Sequence, residues 1–143
     1  MCAIVGVFGV KKASTVAYYS LFSMQHRGQE ATGISTADGE RISIYKKRGR
    51  VADVFSQDIL DNLQGECAVG HNRYSTAGSA SVGDSQPVFA KYKLGEISVV
   101  HNGNLINKHE VRNQLIDKGA IFQTDMDTEN IIHLIAKSQK DSL

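Results

Sequence analysis

The sequence predicts a layered α+β fold in which antiparallel strands are set apart from the helices. Short apolar, β-branched runs such as residues 3–8 are bounded by glycine. Asp38-Gly39 and Lys93-Leu94-Gly95 stand between pairs of such runs and read as turns joining antiparallel neighbours. Helical segments follow the strand pairs instead of alternating with each strand, which argues against βαβ units.

Residues 3–8 end at Gly9 and predict a buried strand. Ser14 is placed to cap a helix over 15–25, with Val16, Leu21 and Phe22 among its apolar residues. Gly28 is placed as the C-terminal cap. Strands over 32–36 and 41–46 flank the Asp-Gly turn, and Ile42 and Ile44 share one face of the second. A short helix around 58–63 ends at Gly65, and 67–72 is the next strand. Residues 75–86 form a loop rich in Ser, Gly and Ala, followed by Pro87, the only proline. Strands over 88–92 and 96–101 come next. Asn107, with Glu110 three residues on, makes a capping-box-like start for a helix that stops at Gly119. A brief strand over 120–123 precedes a helix over 128–137 that carries Ile131, Ile132, Leu134 and Ile135. No repeat or linker interrupts the chain, so one domain over 1–143 is expected. No closing strands follow the last helix. The sheet therefore reads as incomplete, and the chain as a fragment.

Composition removes several function classes. With 143 residues, a net charge of +1 and 41% hydrophobic residues, the chain can bury one ordinary core. The near-neutral balance predicts neither nucleic-acid nor membrane-surface binding, and Lys46, Lys47, Arg48 and Arg50 read as a solvated strand end. No apolar run reaches the ~20 residues of a membrane span, and the N-terminus lacks the pattern of a signal peptide. Two cysteines, Cys2 and Cys67, are too few for a disulfide scaffold and predict a cytoplasmic protein, with Cys67 a buried apolar residue. The histidines are scattered without paired ligand spacing, so no metal site is expected. His133 reads as structural.

Four places can carry chemistry. Cys2 follows the initiator methionine and is small, so removal of Met1 is expected to expose it. An α-amine with a pKa of about 7.7–8.0 beside a thiol of about 8.5 can then act as base for its own side chain. Taken alone, Cys2 reads first as a small apolar residue opening a strand. His101-Asn102-Gly103-Asn104-Leu105 offers a side-chain amide beside a glycine N–H, two donors suited to an oxyanion. Asn-Gly is also a common hairpin turn, although a helix and not a strand follows here. In Gly70-His71-Asn72-Arg73-Tyr74-Ser75-Thr76-Ala77-Gly78, Arg73 is placed to fork onto a carboxylate, or to make a surface salt bridge. Asp127 can cap the last helix, bind an ammonium group, or both. Together the four suit an amino acid whose side-chain amide is attacked.

The opening 1–9, the segment Gln25-His26-Arg27-Gly28-Gln29-Glu30 with 31–34, and 71–78 resemble the class II, N-terminal-nucleophile glutamine amidotransferases. Among these, the amidophosphoribosyltransferases are the nearest in pattern, and the match runs over nearly the whole chain. The resemblance implies a four-layer αββα sandwich. It implies that Cys2 is the nucleophile and that Asn102 and Gly103 form the oxyanion hole. Arg73, with Thr76 nearby, would bind the glutamine α-carboxylate and Asp127 the α-ammonium, while Arg27 and Gly28 lie on an enclosing loop. For the full-length enzyme it implies a phosphoribosyltransferase domain that accepts the ammonia, magnesium in that domain and a homo-oligomer. For this portion it implies glutamine as partner and no cofactor, and iron–sulfur content stays open. Ala3 stands where glycine is common, and Met126 where serine usually precedes Asp-Thr-Glu. Another class II amidotransferase, or an inactive partner-binding fragment, remains an alternative reading.

Overall fold

The computed structural model describes residues 1–74 and 85–138. Four strands, β1 (Ala3–Val7), β2 (Ala31–Ala37), β3 (Ile42–Arg48) and β4 (Cys67–Arg73), form one antiparallel sheet in the order β1-β4-β2-β3. A second, two-stranded antiparallel sheet pairs β5 (Val88–Tyr92) with β6 (Gly95–Val99). The β2–β3 register is set at the Asp-Gly turn. There the Asp38 carboxylate accepts the Glu40 and Arg41 N–H groups at 3.0 and 2.9 Å, and Gly39 takes a φ of 98° that few side chains tolerate.

Alternation along β4 decides what each face meets. Gly70 and Asn72 face the helices: a Cβ added at Gly70 would stand 2.8 Å from Leu21 Cδ1, and Asn72 Nδ2 donates to the Leu21 carbonyl at 2.8 Å. His71 and Arg73 therefore point to the other face. On the helix side, α1 (Ala13–Ser23) lays Ala13, Ala17 and Leu21 against the sheet, four residues apart and fully buried. Small side chains at two of these positions let the helix come close. Ile34, Val51, Phe55, Leu60 and Leu63 complete this core, with α2 (Val51–Val54) and α3 (Gln57–Asn62) on the same side. On the opposite side the second sheet packs face to face, its Ser98 hydroxyl 2.7 Å from that of Ser35 and its Glu96 carboxylate bonded to the Ile42 N–H. Helix α5 (Asp127–Lys137) covers β5 and β6. Beside it α4 (Lys108–Asp117) is tied through Asn130 Nδ2, which donates to the Lys108 carbonyl at 2.9 Å. The order is helix, sheet, sheet, helix.

Several local expectations fail, some because a tertiary partner wins and some because a nearer local bond does. The strand at 3–8 lies at a sheet edge and is not buried: Ala3 is covered, but Ile4 and Phe8 are exposed. Ser14 does not cap α1. Its hydroxyl is buried and donates to the Leu60 carbonyl at 3.0 Å, while Lys12 takes the cap position at φ 56°. Val16 and Phe22 are largely exposed. Gly28 closes a 3-10 turn over Gln25–Arg27 with an extended φ of −166°, so it is no left-handed cap. Asn107 precedes α4 without a side-chain cap bond, and Glu110 accepts from Gln114 instead, at 3.3 Å. Residues 120–123 are not a strand, because the Gln123 and Thr124 N–H groups donate to the Glu129 carboxylate, each at 2.8 Å. Asp127 is the first residue of α5 and not its cap. Lys46 is not solvated, since its ammonium donates to the Ser85 and Pro87 carbonyls at 2.6 and 2.9 Å. Cys67 is half-buried. The strand predicted over 96–101 runs over Gly95–Val99 and stops short of 101. His133 holds the Ile121 carbonyl at 3.1 Å and packs on Phe122, a structural position.

Candidate active site

The β1–β4 register places Ala3 opposite Asn72, so the residue before β1 meets the chain leaving β4. That juxtaposition carries Cys2 to Tyr74. The Tyr74 N–H donates to Cys2 Sγ at 3.4 Å, and the thiol lies 3.8 Å from the Tyr74 carbonyl oxygen. The Cys2 carbonyl is held from two further segments: Arg27 Nε donates to it at 3.2 Å and Asn102 Nδ2 at 3.3 Å. Cys2 itself is half-buried. Three of the predicted site residues, separated by up to 100 positions, therefore meet at one backbone group.

Gly28 permits this closeness. A Cβ there would stand 2.7 Å from the Arg73 carbonyl carbon and oxygen and 2.9 Å from the Asn72 oxygen, so any side chain would push the Arg27 turn off the end of β4. Arg73 leaves β4 with its Nε 3.7 Å from Glu30 Oε2 and a terminal nitrogen 4.0 Å from Met126 Sδ, next to Asp127. The predicted carboxylate and ammonium binders thus lie in one neighbourhood. Asp127 pins the Asn-Gly turn from both ends: Oδ2 accepts the Leu105 N–H at 2.8 Å, and Oδ1 lies 3.4 Å from His101 Nδ1. Gly103 lets the His101 ring fold back over the turn, because a Cβ there would stand 2.6 Å from His101 Nε2. Thr76 lies outside the described residues.

Beneath the site the polar groups are dry. Asn72 is fully buried, its Oδ1 accepting the Thr32 hydroxyl at 2.8 Å. His71 is 2% exposed, and its Nε2 has no hydrogen-bond partner among the described residues. Burial, reinforced by the Arg73 guanidinium, lowers its pKa to about 4, so it is neutral near pH 7. Among the described residues no group of three His, Cys, Asp or Glu side chains is arranged to hold a metal ion.

Sequence reasoning missed Tyr74, Glu30, Gln86 and His101 as members of this constellation. Glu30, three residues after Arg27, had the one readable signal, an acidic group close to an arginine. Tyr74 acts through its backbone, which no residue type announces. What the arrangement offers is a thiol beside an N–H donor, an amide and a glycine close by, and a cation and a carboxylate side by side.

Residues 71–143, just over half the chain, match the family described as a glutamine amidotransferase domain. The chain belongs to that family. It is 45% identical over 139 residues to amidophosphoribosyltransferase 2, chloroplastic, of Arabidopsis thaliana, an alignment covering 96% of this chain and 25% of the relative. With the amidophosphoribosyltransferase of Bacillus subtilis it shares 41% identity over 138 residues, covering 96% and 29%. The solved glutamine phosphoribosylpyrophosphate amidotransferase of B. subtilis, complexed with ADP and GMP, superposes with a TM-score of 0.88 at 38% identity, covering 98% of this chain and 30% of that one. This glutamine amidotransferase domain therefore has the αββα fold of the N-terminal-nucleophile hydrolases, as the resemblance implied. The chain spans between a quarter and a third of the length of these relatives. No helix among the described residues is long and apolar enough to cross a membrane.

Proposed function

We propose that this domain is the glutaminase portion of an amidophosphoribosyltransferase, with Cys2 as its nucleophile once Met1 is removed. One observation carries the reading: Arg27, Tyr74 and Asn102, from three separate segments, converge on the residue that would become the N-terminus. Met1 is 77% exposed, within reach of an aminopeptidase. Its removal leaves the α-amine on the residue that bears the thiol. The reaction then runs as follows. Arg73, with Thr76, takes the glutamine α-carboxylate and Asp127 the α-ammonium, with Arg27 and Gly28 on the enclosing turn. Fixing the amide carbon near the sulfur removes much of the entropic cost of attack. The amine accepts the thiol proton, sulfur adds to the carbonyl, and Asn102 Nδ2 and the Gly103 N–H stabilise the oxyanion. The amine returns its proton to the departing ammonia, and water hydrolyses the thioester to glutamate.

In the whole protein the ammonia would pass to a phosphoribosyltransferase domain and displace pyrophosphate from phosphoribosyl pyrophosphate, giving 5-phosphoribosylamine for purine synthesis. The names of the relatives support this acceptor. A magnesium ion belongs to that domain in this reading, and a cytoplasmic homo-oligomer is the proposed state.

The deciding experiment compares glutamate release by the intact protein with Met1 removed, with Met1 retained, and with Cys2→Ala, the processing state checked by intact mass. Activity is expected only in the first. Hydrolysis by the alanine variant, or equal rates with and without Met1, would overturn the reading.

A further inference from the structure

Of all the groups around the site, Gln86 has the most specific geometry and no role in the chemistry described above. It is 8% exposed, and its side-chain amide grips the backbone of one residue from both sides. Nε2 donates to the His101 carbonyl at 3.1 Å, and Oε1 accepts the His101 N–H at 2.6 Å. This two-point bond imitates a neighbouring strand just where β6 has ended at Val99. The next two residues are Asn102 and Gly103. Two well-aligned bonds to the N–H and C=O of one residue fix the two peptide units that flank it, whereas one would leave a hinge.

Gln86 is held in its turn. The Lys46 ammonium donates to the carbonyls on either side of it, Ser85 at 2.6 Å and Pro87 at 2.9 Å. Gly33 on β2 leaves room for the segment, since a Cβ there would collide with the Gln86 carbonyl oxygen and stand 2.7 Å from Lys46 Cβ and 2.8 Å from Pro87 Cδ. Lys46 and Gly33 are themselves directly opposite each other in the β2–β3 register. A rigid part of the large sheet thus reaches through Gln86 to the Asn-Gly turn on the far side of the sheet interface.

We propose that Gln86 is the positioning residue of the oxyanion hole, holding Asn102 and Gly103 at the angle the tetrahedral intermediate requires. The proposal rests on the oxyanion-hole assignment made above. It touches neither substrate nor sulfur, so its loss is felt in the transition state and not in ground-state binding.

The test uses Gln86→Leu and the isosteric Gln86→Glu, which keeps an acceptor for the His101 N–H and loses the donor. The expected result is a fall in kcat for glutamine hydrolysis of roughly 10- to 100-fold, below the 10²–10³ seen when an oxyanion donor is deleted outright, with KM within about twofold of the parent. Alkylation of Cys2 by iodoacetamide forms no oxyanion, so its rate should stay unchanged in both variants. Amide exchange at His101 should accelerate in Gln86→Leu and less so in Gln86→Glu. Unchanged kcat, a raised KM with normal kcat, or alkylation that slows in step with hydrolysis would each overturn the proposal. Failure of the wild-type protein to hydrolyse glutamine would sink the functional reading instead. In that case unaltered exchange at His101 in Gln86→Leu would still refute the two-point grip by itself.

Discussion

Lowering the pH from 7.5 to 5 should destabilise this fold by about 2 kcal/mol through the single side chain of His71. The ring sits between the two sheets, 2% exposed, with the Arg73 guanidinium as its charged neighbour and its Nε2 without a hydrogen-bond partner among the described residues. Its pKa falls from 6.5 in the unfolded chain to about 4 in the folded one. Above pH 6.5 the ring is neutral in both states and contributes nothing to the pH dependence. Between 6.5 and about 4 the unfolded chain binds a proton that the folded chain refuses, so stability drops as pH falls. At 1.36 kcal/mol per unit the full loss approaches roughly 3 kcal/mol near pH 4, and about two-thirds of it has accrued by pH 5. Urea unfolding at pH 7.5 and 5 measures the difference, and His71→Gln isolates it, because glutamine fills a similar space and does not titrate. The slope should flatten in the variant whatever its absolute stability. If parent and variant lose the same stability on acidification, or the parent loses less than about 0.5 kcal/mol, the buried neutral histidine is not the cause.

Two substitutions probe the scaffold around it. Asn72→Ala would strand the buried Thr32 hydroxyl, while the Leu21 carbonyl keeps the Met24 N–H at 3.1 Å, and at ~1–3 kcal/mol for one unsatisfied group the domain should lose about that much. A double-mutant cycle with Thr32→Val should return a coupling of at least about 1 kcal/mol, and additivity would mean that the bond contributes nothing. Gly28→Ala places a methyl group 2.7 Å from the Arg73 backbone. It should cost about 1–3 kcal/mol and reduce glutamine kcat/KM by ~10-fold or more as Arg27 and Arg73 are pushed apart. Stability and kcat/KM both within twofold of the parent would show that the turn has slack the geometry denies.

Strand positions were legible wherever period and turn chemistry agreed. Asp38-Gly39 between two alternating runs specified the β2–β3 hairpin, and Lys93-Leu94-Gly95 did the same for β5 and β6. Helix N-caps were not legible. Ser14 was diverted to Leu60, 46 residues away, and Asp127 to Leu105, 22 away, because a polar group beside a helix start bonds to whatever the fold brings nearest. The predicted strand at 120–123 failed for a related reason: the Ala120 N–H is taken by the Leu115 carbonyl and the Gln123 N–H by the Glu129 carboxylate on α5, leaving no ladder to form.

What the residues alone determined is the layered antiparallel class, the place of a thiol at position 2 and the residue types near it, since these depend on local pattern and on order along the chain. Only tertiary structure decided that Arg27 and Asn102 share the Cys2 carbonyl while Tyr74 meets its sulfur, that Lys46 is a half-buried anchor and not a free surface cation, and that Gln86 grips His101. Those bonds run between segments far apart in sequence, and several end on backbone atoms. Backbone atoms are the same for every residue, so no side-chain pattern can encode which of them will meet.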